Sequence, residues 1–368
     1  MKYKNNLLII IFGIILVLPN ISLLFGFGNN VYLNDNRPLA SIPKIGIYKE
    51  FPVLFSNYFN DHLGLRNLSI VTSRWIRFNV FNVSPNKSVT VGKNDWLFFT
   101  SDIHYIDSIN AQPFKQNDLE QIKNNFLNIQ NKFKDKGIKF YFLVAPNKQS
   151  IYPEYLPDYM KKINPDSRLD QLTSYLAEFK EINFINPKKE LGGIKKISPV
   201  YLKYDTHWNN MGAFVAYQKL GKKINQDFPI VKTKSLDDYN LVEKEAINRD
   251  LLEVQMGITE GFKETEKVFE NINIKSKIVE GDCPDVYKTC GTLIKEINNP
   301  KLPKLVMFRD SFGNKLIPFI SEHFRRSYYY WGSIPFSYSI IEKEKPDMVI
   351  MELTERELWR IKDELFVF

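Results

Sequence analysis

KLVMFRDSFGNKLIPFISEHF, Lys304–Phe324, runs from an apolar stretch through the polar turn RDS into a segment with helical spacing. An apolar run of this length bounded by a turn fits a strand buried on both faces, as in a parallel sheet. The same rhythm recurs on either side. NDLEQIKNNFLNIQNKFKDKG (117–137) has an acidic start, apolar residues near period 3.6 and a terminating glycine, and IKFYFLVAP (138–146) follows it as a strand. RLDQLTSYLAEFK (168–180) and INFINP (182–187) repeat the pair. Downstream, RSYYYW (326–331) reads as a strand, FSYSIIEKEKP (336–346) as a helix and DMVIMELTE (347–355) as a last strand. Strand–helix alternation of this kind predicts an α/β domain on a mostly parallel sheet. No glycine-rich phosphate loop accompanies it, so nucleotide binding has no support.

In open α/β sheets reactive groups collect beyond the carboxyl ends of the strands. Ser311 stands at such an end, where its hydroxyl is exposed and the N–H groups of the following turn can stabilise an oxyanion. The plainer reading is that Asp310 or Ser311 caps a helix. The choice depends on a partner, because a serine hydroxyl attacks only when a histidine takes its proton and an acid orients that histidine. YLKYDTHWNN (201–210) offers both in Asp205 and His207; a satisfied histidine beside a turn-forming aspartate is the alternative. The other three histidines, His62, His104 and His323, have no such company.

The ends of the chain say where it works. Lys2 and Lys4 precede an almost wholly apolar run from Leu7 to Gly28, long enough for a bilayer span. No Ala-x-Ala-like site follows, so residues 1–28 are expected to remain as a signal anchor, with the rest exported to the periplasm or cell surface. Residues 29–85 read as a membrane-proximal stalk (VYLNDNRPLASIPKIG, 31–46) and a single helix (NYFNDHLGLRNLSIVTSRWIRFNVF, 57–81). SVTVGKNDWLFFTS (88–101) reads as two short strands around the turn KND, and residues 86–368 as the main domain. In an oxidising compartment Cys283 and Cys290, the chain's two cysteines, are expected to form a disulfide. Too few ligands surround them for a metal site, and no metal or cofactor is expected. With 44% hydrophobic and 25% charged residues the 368-residue chain is globular rather than disordered. Its net charge of +8 suits an acidic partner, but the basic residues form no stripe or recognition motif, which argues against nucleic acid.

YDTHWNNMGAFVAY (204–217), followed about a hundred residues later by FRDSFGNKL (308–316), resembles the alginate O-acetyltransferase (AlgX/AlgJ) family. GKNDWLFFT (92–100), VAPNKQSIYPEYLP (144–157), RDLLEVQMGI (249–258) and KPDMVIMELTERELW (345–359) extend the resemblance, in order, over residues 86–368. It implies an SGNH-hydrolase-like domain with Ser311 as nucleophile, His207 as general base and Asp205 as orienting acid. It also implies a polysaccharide acceptor and a multi-span membrane acyltransferase that delivers the acetyl group. Arg309 departs from the glycine usual before Asp-Ser; it either crowds the rim or meets an anionic substrate. Asn147 and Lys148 are candidates for the same rim, and Tyr330 and Trp331 either stack on a sugar ring or belong to the core. A glycan O-acetyl esterase, and a non-catalytic glycan-binding assembly factor, are the competing functions.

Overall fold

The computed structural model describes residues 2–26, 38–44, 49–247, 249–259, 261–271, 273–281, 291–334 and 337–364. The expected disulfide, Cys283–Cys290, lies outside the described residues, as does most of the expected stalk. The chain forms two units, Met1–Val89 with Asp250–Phe262, and Thr90–Arg249 with Lys263–Phe368.

The first unit contains the helix Lys2–Phe25, whose segment Asn5–Phe25 is long and apolar enough to cross a membrane. Two further helices, Phe51–His62 and Arg66–Asn79, stand where a single helix was expected. Leu65 is the reason: at φ 61° it adopts a left-handed conformation that no helix interior accepts, directly after Gly64.

The second unit is built on a sheet whose strands are β3 (Lys139–Ala145), β4 (Phe184–Ile185), β7 (Lys277–Gly281), β8 (Thr292–Glu296), β9 (Lys304–Arg309), β10 (Arg326–Trp331) and β11 (Met348–Thr354). Two short strands, β1 (Val89–Val91) and β2 (Leu97–Phe99), flank the turn KND as expected, with Asn94 and Asp95 taking up the positive φ that their side chains tolerate. A separate hairpin pairs β5 (Tyr239–Glu245) with β6 (Thr265–Asn271).

Among the described residues the sheet order is β4-β3-β11-β9-β10-β8-β7. From β4 to β10 every pairing is parallel, and β8 and β7 add an antiparallel edge. The sheet is therefore mixed, with its parallel part where the apolar runs predicted it.

Alternation along each strand divides the core between two faces. Tyr141, Leu143, Leu305, Met307 and Ile350 pack on one side, against the helix Asn210–Asp227. Phe140, Phe142, Val306, Phe308 and Val349 pack on the other, against Leu119, Ile122, Phe126, Ile129 and Phe133 of the helix Gln116–Lys134. Those five recur at three- and four-residue intervals, which is why the helix buries one stripe. Both strand faces being covered explains the unbroken apolar runs. It also puts the carboxyl ends of β3, β9, β10 and β11 along one rim.

Candidate active site

β9 ends at Arg309, and the chain turns at once through Asp310 and Ser311 into the 3₁₀ turn Phe312–Leu316. The Ser311 side chain does not cap that turn. Asp310 does the capping work: one carboxylate oxygen accepts from the Phe312 N–H at 2.8 Å, and the other from the N–H of Thr354 at 2.8 Å and from its hydroxyl. The turn is thus tied to the end of β11. Gly313 is required here, because a Cβ would lie 2.7 Å from the Arg309 Cβ and 2.9 Å from a Glu352 carboxyl oxygen.

Asp205 and His207 arrive on a loop held from several sides. Tyr201 and Trp208 form an antiparallel bridge, and the Trp208 indole N–H donates to the Phe312 carbonyl at 3.0 Å, joining this loop directly to the serine turn. Asn209 caps the helix Asn210–Asp227 by accepting from the Gly212 N–H at 2.9 Å. Gly212 passes so close to the loop that a Cβ would sit 2.3 Å from the Val200 carbonyl oxygen. Gly212→Ala is expected to cost about 1–3 kcal/mol through overpacking, measurable as a lowered denaturation midpoint.

Within this frame three side chains make one line. One Asp205 carboxylate oxygen accepts from the His207 backbone N–H and from Nδ1, each at 2.7 Å. On the far side of the ring Nε2 lies 2.7 Å from the Ser311 hydroxyl oxygen. A carboxylate can only accept, so it fixes the proton on Nδ1 and leaves Nε2 as the acceptor for the Ser311 O–H. Burial pushes the Asp205 carboxyl up, but the His207 imidazole and the more distant Lys315 ammonium outweigh it and hold it below the ordinary range. The imidazole rests on the Phe312 ring, centroids 4.8 Å apart. Among the described residues the Ser311 N–H has no acceptor, as an oxyanion donor requires.

The Ser311 hydroxyl borders a cleft of about 320 Å³ that Arg309, Trp331 and Arg356 help to line. Arg309 is fully buried; its guanidinium donates to the Asn314 side chain and lies over the Trp331 ring at 5.3 Å. Arg356 sits over the Phe312 ring at 5.4 Å. Beneath, Glu352 is wholly enclosed and accepts from the Asp310 N–H at 3.1 Å; burial and the neighbouring Asp310 carboxylate push its carboxyl well above the ordinary range. Tyr330 points to the other face of the sheet, against Phe308, and not into the cleft.

Asn147 and Lys148 sit at the end of β3, but their side-chain nitrogens are engaged within the fold. The Lys148 ammonium donates to the carbonyls of Leu97 (2.7 Å), Lys203 (2.8 Å) and Asp205 (2.9 Å), so it braces the loop that carries the acid. The Asn147 backbone N–H donates to Glu355, and its amide donates to Asp107 at 2.7 Å. Burial, and then the Glu355 carboxylate, push Asp107 up to about 7. A raised carboxyl favours the folded state at low pH, fully so below about 3.8 and progressively less as pH rises through about 7. Asp107→Asn keeps the acceptor for Asn147, so this protein is expected to lose less stability than wild type between pH 5 and 8 in denaturant titrations.

His62 bonds a backbone carbonyl one helical turn away. His104 meets Ser101, and buried His323, held neutral by a pKa lowered to about 4 by burial, meets Tyr217. Thr354, Glu352 and Arg356 escaped the sequence reading, in which Asp310 is only the alternative helix cap. Only the polar residues ending the strand DMVIMELTE pointed to them.

The model of the SGNH hydrolase-like domain of the acetyltransferase AlgX matches residues 89–280, just over half of the chain. The chain belongs to this family. The AlgX-family match includes Asp205 and His207 and stops before Ser311. A probable alginate O-acetylase, AlgJ, of Pseudomonas syringae pv. tomato is 27% identical over 179 residues, 47% of this chain and 42% of that protein. AlgJ of Pseudomonas aeruginosa is 24% identical over 204 residues, 51% of this chain and 48% of its own. The alignments thus span less than half the length of these relatives. Among solved structures, Bacillus cereus PatB1 superposes with a TM-score of 0.51 at 20% identity, covering 72% of this chain and 95% of that one. That likeness is one of fold.

Proposed function

We propose that this protein is a membrane-anchored O-acetyltransferase that moves acetyl groups onto an exported polysaccharide, with Ser311, His207 and Asp205 as its catalytic triad. The observation that carries this reading is the continuous hydrogen-bonded line from Asp205 through His207 to Ser311 at the rim of a parallel sheet. Family membership and the likeness to probable alginate O-acetylases support the reaction class.

The chemistry follows from the geometry. Ser311 Oγ attacks the carbonyl carbon of an acetyl donor while His207 Nε2 takes the hydroxyl proton. The Ser311 N–H faces the charge that develops on the carbonyl oxygen. Collapse expels the donor's leaving group, which takes the proton from His207, and an acetyl ester remains on Ser311. A sugar hydroxyl then gives its proton to His207, attacks the ester carbonyl and departs acetylated, restoring Ser311. Asp205 holds the imidazole in the useful tautomer and stabilises the imidazolium formed twice in the cycle. Trp331 and Arg356 would receive the polymer in the cleft, with the buried Arg309 supporting the Trp331 ring.

Residues 86–368 are read as the catalytic domain, and the helix Lys2–Phe25 as a single-pass anchor that leaves that domain outside the cytoplasmic membrane. Acetyl-CoA is absent there, so a multi-span membrane acyltransferase would supply the acetyl group. The test gives the purified protein an activated aryl acetate with and without candidate polysaccharides. Polymer-bound acetyl that depends on the enzyme supports the proposal. Acetate release unaffected by every polymer would make the protein an esterase instead.

A further inference from the structure

Residues 51–83 leave much of their apolar surface open. In the helix Phe51–His62 the rings of Phe51, Phe55 and Phe59 stack in one column at centroid spacings of 5.8 and 6.4 Å, yet Phe55 is 48% exposed and Phe59 45%. The helix Arg66–Asn79 has one face packed within its own unit, with Phe78 against the Phe262 ring at 5.3 Å and Arg74 against Gly257. Leu68, Trp75 and Ile76 of the same helix are exposed, and the chain beyond adds Val80 and Phe81, the latter 66% exposed. So many exposed apolar side chains within residues 51–83 mark a contact site.

What covers it follows from the turn between the two helices. Gly64 lies so close to the helix Lys2–Phe25 that a Cβ would fall 2.0 Å from the Pro19 carbonyl oxygen and 2.8 Å from the Leu23 nitrogen, and Ser22 is fully buried there. At 1.5 Å per residue, a contact at residues 19–23 lies about 3–9 Å before that helix ends at Phe25. An amphipathic helix lies at about 5–10 Å into the boundary between headgroups and acyl chains. The residues fit that depth: Tyr58 and Trp75 have the apolar-bodied, polar-tipped rings of the membrane interface, and the exposed Arg77 has a stem long enough to reach headgroups.

We propose that the helix pair 51–79 with the following residues to Val83 lies in the leaflet through which the N-terminal helix exits, covered by lipid, as a second membrane contact. This rests on the proposed anchor. The occupant is the bilayer itself, so no other protein is required, and the segment Asp250–Phe262 is held at the membrane with it.

The experiment reconstitutes the full-length chain alone into phosphatidylcholine vesicles and measures quenching of tryptophan emission by lipids brominated near the headgroup end of the acyl chain. Trp75 is one of five tryptophans. Wild type is expected to lose a quenchable component that Trp75→Phe lacks. Gly64→Val, which drives a side chain into the Pro19 carbonyl, is expected to stay in the vesicles and, like Trp75→Phe, to show no quenching of that component. Equal quenching of wild type and Trp75→Phe, in protein that resists alkaline carbonate extraction, would overturn the interfacial placement and leave the anchor standing; Trp75 quenched only once a membrane protein is added would do the same in favour of a protein partner. Extraction of wild type by carbonate would remove the anchor and this proposal together.

Discussion

Ser311→Ala is expected to leave a folded protein that transfers no measurable acetyl, a loss on the order of 10⁶ in kcat by comparison with other serine triads. Of the hydroxyls lining the cleft among the described residues, Ser311, Ser333 and Thr354, Ser311 is the one bonded to a histidine. The structural cost is small, because among the described residues the Ser311 hydroxyl bonds only His207 Nε2, and that ring, at 22% side-chain exposure, is open enough for water to replace the contact. His207→Ala is expected to fall almost as far, since an unassisted serine keeps its proton. Asp205→Ala is expected to be less absolute, because Asp205 orients the ring and forms no bond to substrate. The three act as one unit, so the Ser311–His207 double variant should match either single variant. Transfer assays beside circular dichroism of each protein check the set. A folded Ser311→Ala protein with substantial activity would remove the triad assignment.

Lys148→Met is expected to have the next largest effect, for a different reason. Lys148 is 2% exposed and the three donors of its ammonium are spent on three backbone carbonyls, one of them that of Asp205. Methionine fills similar space and satisfies none of them. Each stranded carbonyl costs about 1–3 kcal/mol, offset in part because an ammonium no longer has to be buried. A net loss of about 3 kcal/mol is expected, read as a lowered midpoint of thermal unfolding. Release of the Asp205 carbonyl also frees the loop that aims His207, and small misplacements of reacting groups cost about 10²-fold in rate. Lys148→Arg should not rescue, since a planar guanidinium cannot converge on three carbonyls as an ammonium does. The signature is a fall in kcat with the acceptor KM unchanged, because Lys148 does not line the cleft.

The parallel strands and their helices were legible because each strand is covered on both faces and each helix on one, which writes unbroken runs and a 3.6 period into the sequence. The hairpin of β5 and β6 was not, since YNLVEKE is mostly exposed and its partner lies about twenty residues on. The break at Leu65 was hidden for a related reason: the apolar spacing of helices Phe51–His62 and Arg66–Asn79 continues across it, and only a positive φ interrupts them. Asp205, His207 and Ser311 could be singled out in the sequence because the proposed chemistry requires those residue types together, and the structure brings them within hydrogen-bond distance. Lys148 was misjudged as a rim residue. Its acceptors are backbone carbonyls of residues 97, 203 and 205, and a backbone acceptor leaves no mark in a sequence. Tyr330 and Trp331 are neighbours in sequence, but the alternation of β10 sends only Trp331 to the cleft.

The most direct test of the account is to look for the acetyl ester on Ser311. The full-length protein would be mixed with an activated acetyl ester in the absence of any polysaccharide, quenched in acid and digested, and its peptides weighed. The account predicts one acetyl group on the peptide that contains Ser311, its absence from Ser311→Ala, and its disappearance from wild type when a competent polymer is added, with the acetyl recovered on the polymer. Polymer acetylation by a wild-type protein that never carries acetyl on Ser311, or an adduct of equal yield in Ser311→Ala, would contradict it.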